Sequence, residues 1–279
     1  MRKLVCSLIT TFIFIGPIYS QTVKIDSVQS SILKRTVATT IILPSPYDST
    51  RVYPVLYFLH WWGGDNNSFL TTSLINELKS RPVIVVTPNA DTSWYVNSFT
   101  DPANRYEDFL TKELFHHIDK TYRIDPKRQA IGGFSMGGYG ALQIGLKHPV
   151  RFKYIASVCG AINAPFYDTV LKPESPLNFI INSVRYSFGD EKSYQANETN
   201  IFFTLEKAKP YNNLFVYLAV AKQDEFDFIE PQYKRLIKEI ESKKIKYQYV
   251  EYEGGHFDGK VLSSCLPSLL DKVLEINGN

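Results

Sequence analysis

The stretch AIGGFSMGGYGAL, Ala130 to Leu142, sets Ser135 between Gly133 and Gly137 in a Gly-x-Ser-x-Gly pattern. The apolar run QAIGGF leads into the serine and MGGYGALQIGLKH continues as a helix, so Ser135 falls on a turn between strand and helix. Such a turn is strained, and a Cβ on the flanking glycines would collide with the crossing backbone. The N–H groups that open the helix favour developing negative charge. The chemistry announced is attack by a serine hydroxyl.

A hydroxyl is a poor nucleophile until a base accepts its proton. Of five histidines, His116 and His117 lie mid-helix, His148 ends the helix after the serine, and His60 closes an early strand. His256, in YEGGHFDG, follows the last expected strand on a glycine-rich loop and is the candidate base. A carboxylate must orient it, and LFVYLAVAKQDEFDF supplies Asp224, with Asp227 as its rival; Asp258 is too near the histidine in sequence. The chain order Ser135, Asp224, His256 is that of α/β-hydrolase triads. A tetrahedral oxyanion also needs two N–H donors. Met136 follows the nucleophile, and LYFLHWWGGDNN points to Trp62 as the second donor, with Trp61 next. This chemistry calls for no metal and no cofactor.

The elements that must position these residues are legible as alternating patterns. Strand-like runs occupy Val37 to Leu43, Val55 to Leu59, Val83 to Val86, Ala130 to Phe134, Tyr154 to Cys159, Leu214 to Val220 and Tyr247 to Tyr252. Helical spacing puts Leu110, Leu114 and Ile118 on one face, and Leu236 and Ile240 on another. The expected fold is α/β: a mostly parallel central sheet with helices on both faces and its site at the carboxyl ends of the strands. The segment Ala161 to Lys209, with Pro165, Pro173 and Pro176, breaks the alternation and reads as a modest, partly helical insertion beside the site.

At 279 residues the chain fits one large domain, expected over 21–279. Residues 1–20, MRKLVCSLITTFIFIGPIYS, have the layout of a secretory signal peptide, with an apolar run too short to span a bilayer. The expected location is secreted or periplasmic, without stable membrane insertion after cleavage. Taking Arg2 and Lys3 from 31 Lys and Arg leaves 29 against 28 Asp and Glu, a near-neutral balance that predicts no nucleic-acid partner. Cys159 and Cys265 are too few for a disulfide scaffold and read as buried thiols. Trp61, Trp94 and Tyr95 follow early strands on the expected site edge, so they are candidate substrate-binding residues. Flat aromatic walls suit a ring, a short acyl chain or a sugar face.

In order along the chain, LHWWGG, SWYVNSF, RYEDFLTKELFHHIDKTYRI, IGGFSMGGYGALQIGLKHPVRF and EGGHF resemble an esterase family. That family includes esterase D, S-formylglutathione hydrolases, tributyrin esterases, bacterial feruloyl and acetylxylan esterases, and the antigen 85 mycolyltransferases. The resemblance implies an α/β-hydrolase fold with Ser135 as nucleophile, His256 as base, Asp224 as acid, and Met136 with Trp62 as oxyanion donors. Together with the leader-like segment and the aromatic loops, it points to an exported serine ester hydrolase acting on short-chain, feruloyl or acetyl esters of carbohydrate. Acyl transfer to an alcohol, or thioester hydrolysis like that of S-formylglutathione hydrolase, is the alternative. Two departures stand out: His60-Trp61 replaces a common His-Gly, and FDGKVL follows His256 where many members carry tryptophans.

Overall fold

The computed structural model describes residues 22–163, 174, 178–195, 197–207, 211 and 213–276. The leader-like residues 1–20 lie outside the described residues. Eight strands form one sheet: β1 (Thr22–Ser30), β2 (Arg35–Leu43), β3 (Tyr53–Leu59), β4 (Ile84–Pro88), β5 (Ile124–Phe134), β6 (Phe152–Val158), β7 (Phe215–Ala221) and β8 (Lys246–Tyr252). Their spatial order is β1-β2-β4-β3-β5-β6-β7-β8. The pairs β1/β2 and β2/β4 are antiparallel; all others are parallel. All seven expected strands are present; β5 begins six residues earlier than expected, at Ile124, and the others shift by one or two residues at their ends. The eighth, β1, carried no clear sequence signal because it is an edge strand whose Val23 and Ile25 stay exposed.

Helices cover both faces, as the sequence pattern requires. Successive residues of β3 point to opposite sides: Val55, Tyr57 and Leu59 enter one apolar cluster, Leu56 and Phe58 the other. The first cluster is closed by the helical run Tyr106–Thr121, made of Tyr106–Asp108, Phe109–Leu114 and α1 (Phe115–Thr121), by α2 (Met136–Lys147), and by α4 (Ile229–Ser242). Leu110, Leu114, Ile118, Leu236 and Ile240, spaced for one helical face each, are all buried there. The second is closed by Leu74 and Leu78 and by α5 (Lys260–Glu275), through Leu266, Leu269 and Leu270. No helix among the described residues is long and apolar enough to cross a membrane. The described part of the insertion is largely helical, with α3 (Ile181–Phe188) and the short pieces Glu191–Gln195 and Ile201–Lys207.

The register of the parallel strands decides what meets at the sheet edge. Phe134 pairs with Val158, Val158 with Ala219, and Ala219 with Val250. Their carboxyl ends are therefore level, and the loops that follow β5, β6, β7 and β8 open on one side. Ser135, Cys159, Asp224 and His256 all lie on those loops.

Candidate active site

Ser135 adopts φ 55° and ψ −117°, a conformation an L-residue takes only when its surroundings enforce it. Its own N–H donates to Val158 O at 2.9 Å, and its carbonyl accepts the first helical bond from Tyr139 N–H at 3.1 Å. The glycines on either side make this geometry possible by letting backbones touch. A Cβ on Gly133 would lie 2.3 Å from Gly137 O, and one on Gly137 would lie 1.9 Å from Leu59 O. Gly137→Ala should accordingly cost at least about 2 kcal/mol of stability, lowering Tm by about 4 to 8 °C. A thermal melt within about a degree of wild type would refute this account of the elbow.

The Ser135 hydroxyl donates to His256 Nε2 at 2.8 Å, and His256 Nδ1–H donates to Asp224 Oδ2 at 3.1 Å. These three residues, 121 and 32 positions apart, are brought into line as the sequence anticipated. The Asp224 and His256 side chains are 5% and 3% exposed, so their bond is shielded from water. Asp224 Oδ1 also accepts Phe226 N–H at 2.9 Å. Phe134 and Phe226 pack against the imidazole at centroid distances of 5.1 and 4.7 Å. Asp227 is exposed and Asp258 serves the turn, accepting Gly255 N–H at 3.0 Å and Lys260 N–H at 2.8 Å.

The residues around Asp224 do more than sequence reading found. Gln223 exchanges bonds with Gly254, its N–H donating to Gly254 O at 3.0 Å and its Oε1 accepting Gly254 N–H at 2.7 Å. Glu225 accepts the backbone N–H of His256. The run Gln223, Asp224, Glu225 thus holds the histidine loop by backbone and ring together. A Cβ on Gly255 would meet the Glu225 carboxyl at 2.6 Å, which explains a glycine there.

His60 supports the loop that carries Trp61 and Trp62. It is fully buried, donating from Nδ1 to Trp61 O at 2.8 Å and accepting Ala90 N–H on Nε2 at 3.0 Å. Burial depresses its basicity, which suits the neutral tautomer these two bonds require. Gly64 N–H also donates to Trp61 O, at 2.9 Å, closing the turn. Met136 contributes the first N–H of α2, which by position has no acceptor within the helix.

A cavity of about 480 Å³ opens over Ser135 and His256. Trp61, Trp62 and Trp94 line it, together with Phe226, Phe228 and Phe257, which the sequence reading did not single out. Phe257 is 67% exposed at the rim, beside the His256 ring. The insertion forms part of the wall through Ile180, and Ser183 of α3 accepts bonds from Trp62 Nε1 at 2.8 Å and Trp94 Nε1 at 3.1 Å. Tyr95 is a correction: it is fully buried and does not line the cavity. Trp94 and Tyr95 have φ 57° and 59°, a sharp turn that sends neighbouring side chains apart. The Tyr95 hydroxyl donates to His60 O at 3.0 Å, and its ring fills the space left by Gly140, where a Cβ would lie 2.7 Å from it. Cys159 and Cys265 are buried, unbridged thiols.

Comparison with known proteins agrees with this architecture. The family model described as "Putative esterase" matches residues 30–260. An acetyl esterase of Caldicellulosiruptor saccharolyticus is 29% identical over 206 residues, covering 72% of this chain and 76% of that protein. An esterase of Mycobacterium tuberculosis is 36% identical over 130 residues, 43% of this chain and 28% of its own length. Among solved structures, an S-formylglutathione hydrolase from Agrobacterium tumefaciens superposes with a TM-score of 0.77 at 17% identity, covering 94% of this chain and 97% of that one. Proteins named feruloyl esterase match as well. With the family match spanning most of the sheet and every element of the site, the chain belongs to this esterase family and is a carboxylic-ester hydrolase of the α/β-hydrolase fold.

Proposed function

We propose that the protein cleaves its ester through a Ser135, His256, Asp224 triad and an acyl-enzyme. Ser135 Oγ attacks the carbonyl carbon while His256 Nε2 takes the hydroxyl proton. The carbonyl oxygen, now an oxyanion, is held by the N–H groups of Met136 and Trp62. Collapse expels the alcohol, which receives the proton from His256, and water then repeats the sequence to release the acid and restore the serine. Asp224 keeps the imidazole in the Nδ1–H tautomer and stabilises its charged form. The observation that carries the reading is the hydrogen-bonded line from Ser135 through His256 to a sealed Asp224, at the floor of an open cavity.

The substrate proposed is a short-chain or hydroxycinnamoyl ester carried on carbohydrate. A cavity of about 480 Å³ walled by Trp61, Trp62, Trp94, Phe226 and Phe228 takes a small flat group. An acetyl esterase and feruloyl esterases among the relatives support both acyl types. The leader-like residues 1–20 support export, where polysaccharide esters are met. Assay of nitrophenyl esters of graded acyl length, feruloyl esters and acetylated xylan tests this. A clear preference for chains beyond about ten carbons would overturn it, because such a chain needs a longer apolar tunnel. Trp94→Ala should reduce kcat/KM on a feruloyl ester more than on an acetyl ester; equal losses would remove Trp94 from the acyl wall.

A further inference from the structure

The Asp224 carboxyl is sealed from water, and a buried carboxylate is stable only where donors converge on it. Among the described residues, His256 supplies one through Nδ1–H, and the Cys159 thiol is the neighbouring side chain placed to offer a second. Phe226 N–H adds a backbone bond. Cys159 Sγ, a carboxylate oxygen of Asp224 and a ring nitrogen of His256 all lie within 4.8 Å of one another. The thiol therefore sits beside the Asp224–His256 pair.

Its placement follows from the fold. Cys159 is the first residue beyond β6 and has φ 48°, while its N–H donates to Ala219 O at 2.8 Å, extending the pairing with β7 by one residue. That holds it under the loop carrying Asp224. Tyr233 is the nearby hydroxyl that could have served instead, but it is engaged by Ser157 Oγ and Gly160 N–H, both at 2.6 Å.

We infer that Cys159 is a positioning residue for the reaction, a thiol donor that fixes the Asp224 carboxylate against His256. The thiol is suited to this role because it remains protonated. Burial first, and the adjacent Asp224 charge second, hold its acidity far from the usual thiol range. The residue is fully buried, so its part is to donate rather than to react.

The inference rests on the triad proposed above, and the two fail separately: turnover surviving in Ser135→Ala removes the triad, whereas Cys159 variants probe only the support of Asp224. Cys159→Ala removes the donor, and Cys159→Ser keeps one of similar size. With a nitrophenyl acetate substrate, the alanine variant should lose about tenfold in kcat at unchanged KM, the size expected for one hydrogen bond to a charged group. The serine variant should recover to within about threefold of wild type, since a hydroxyl donates as the thiol does. Full activity in the alanine variant, equal losses in both, or a loss carried by KM would overturn the role. If the alanine variant does not fold, the proton resonance of His256 Nδ1–H in the serine variant decides. It should move from its wild-type position if residue 159 touches the Asp224 carboxylate, and an unmoved resonance would overturn the proposal.

Discussion

Ser135→Ala is expected to lower turnover by about 10⁶, because residues that act as one unit lose nearly the whole of their effect when the nucleophile goes. No neighbour can replace it: the hydroxyl is the group aligned on His256 Nε2, at 2.8 Å, and the elbow fixes it there. The remaining activity would come from the oxyanion donors and substrate binding alone. Phosphonate labelling supplies an independent check, since the reagent forms a covalent bond with the activated oxygen. Peptide mass analysis should find the adduct on Ser135 and none in the alanine variant. An adduct on any other residue would reassign the nucleophile.

Asp224→Asn is expected to cost on the order of 10³ to 10⁴ in kcat while leaving the fold intact. The substitution is nearly isosteric, but an amide neither stabilises the imidazolium nor enforces the Nδ1–H tautomer that leaves Nε2 free for Ser135. The same change at Asp227, exposed and without a bond to His256, should alter kcat little. Measuring both variants on one substrate gives the ranking directly. A larger loss at Asp227 would move the acid role there and contradict the observed line of hydrogen bonds.

Much of this molecule is legible in its sequence. Strand and helix periods are local properties, so seven strands and the faces carrying Leu110, Leu114, Ile118, Leu236 and Ile240 could be read from spacing. The edge strand β1 could not, because it buries one side so lightly that its pattern is weak. Ser135 was readable because a strand, a glycine-flanked turn and a helix follow one another in a single short segment. His256 and Asp224 were readable because strand order places their loops on the edge where that turn emerges.

The amino-acid sequence by itself therefore determined the fold class, the strand-turn-helix elbow and the order Ser135, Asp224, His256, each a property of short stretches or of their succession. What only the tertiary structure decided is which neighbours of those residues face the site. Trp94 lines the cavity and Tyr95, one residue on, supports His60 from beneath, because two successive left-handed backbone conformations turn them apart. Glu225 grips the His256 backbone and Cys159 lies beside Asp224, neighbours that link loops following different strands. No local pattern marks such partners, since they are set by the level register of β5 through β8 and by how tightly the loops above it close.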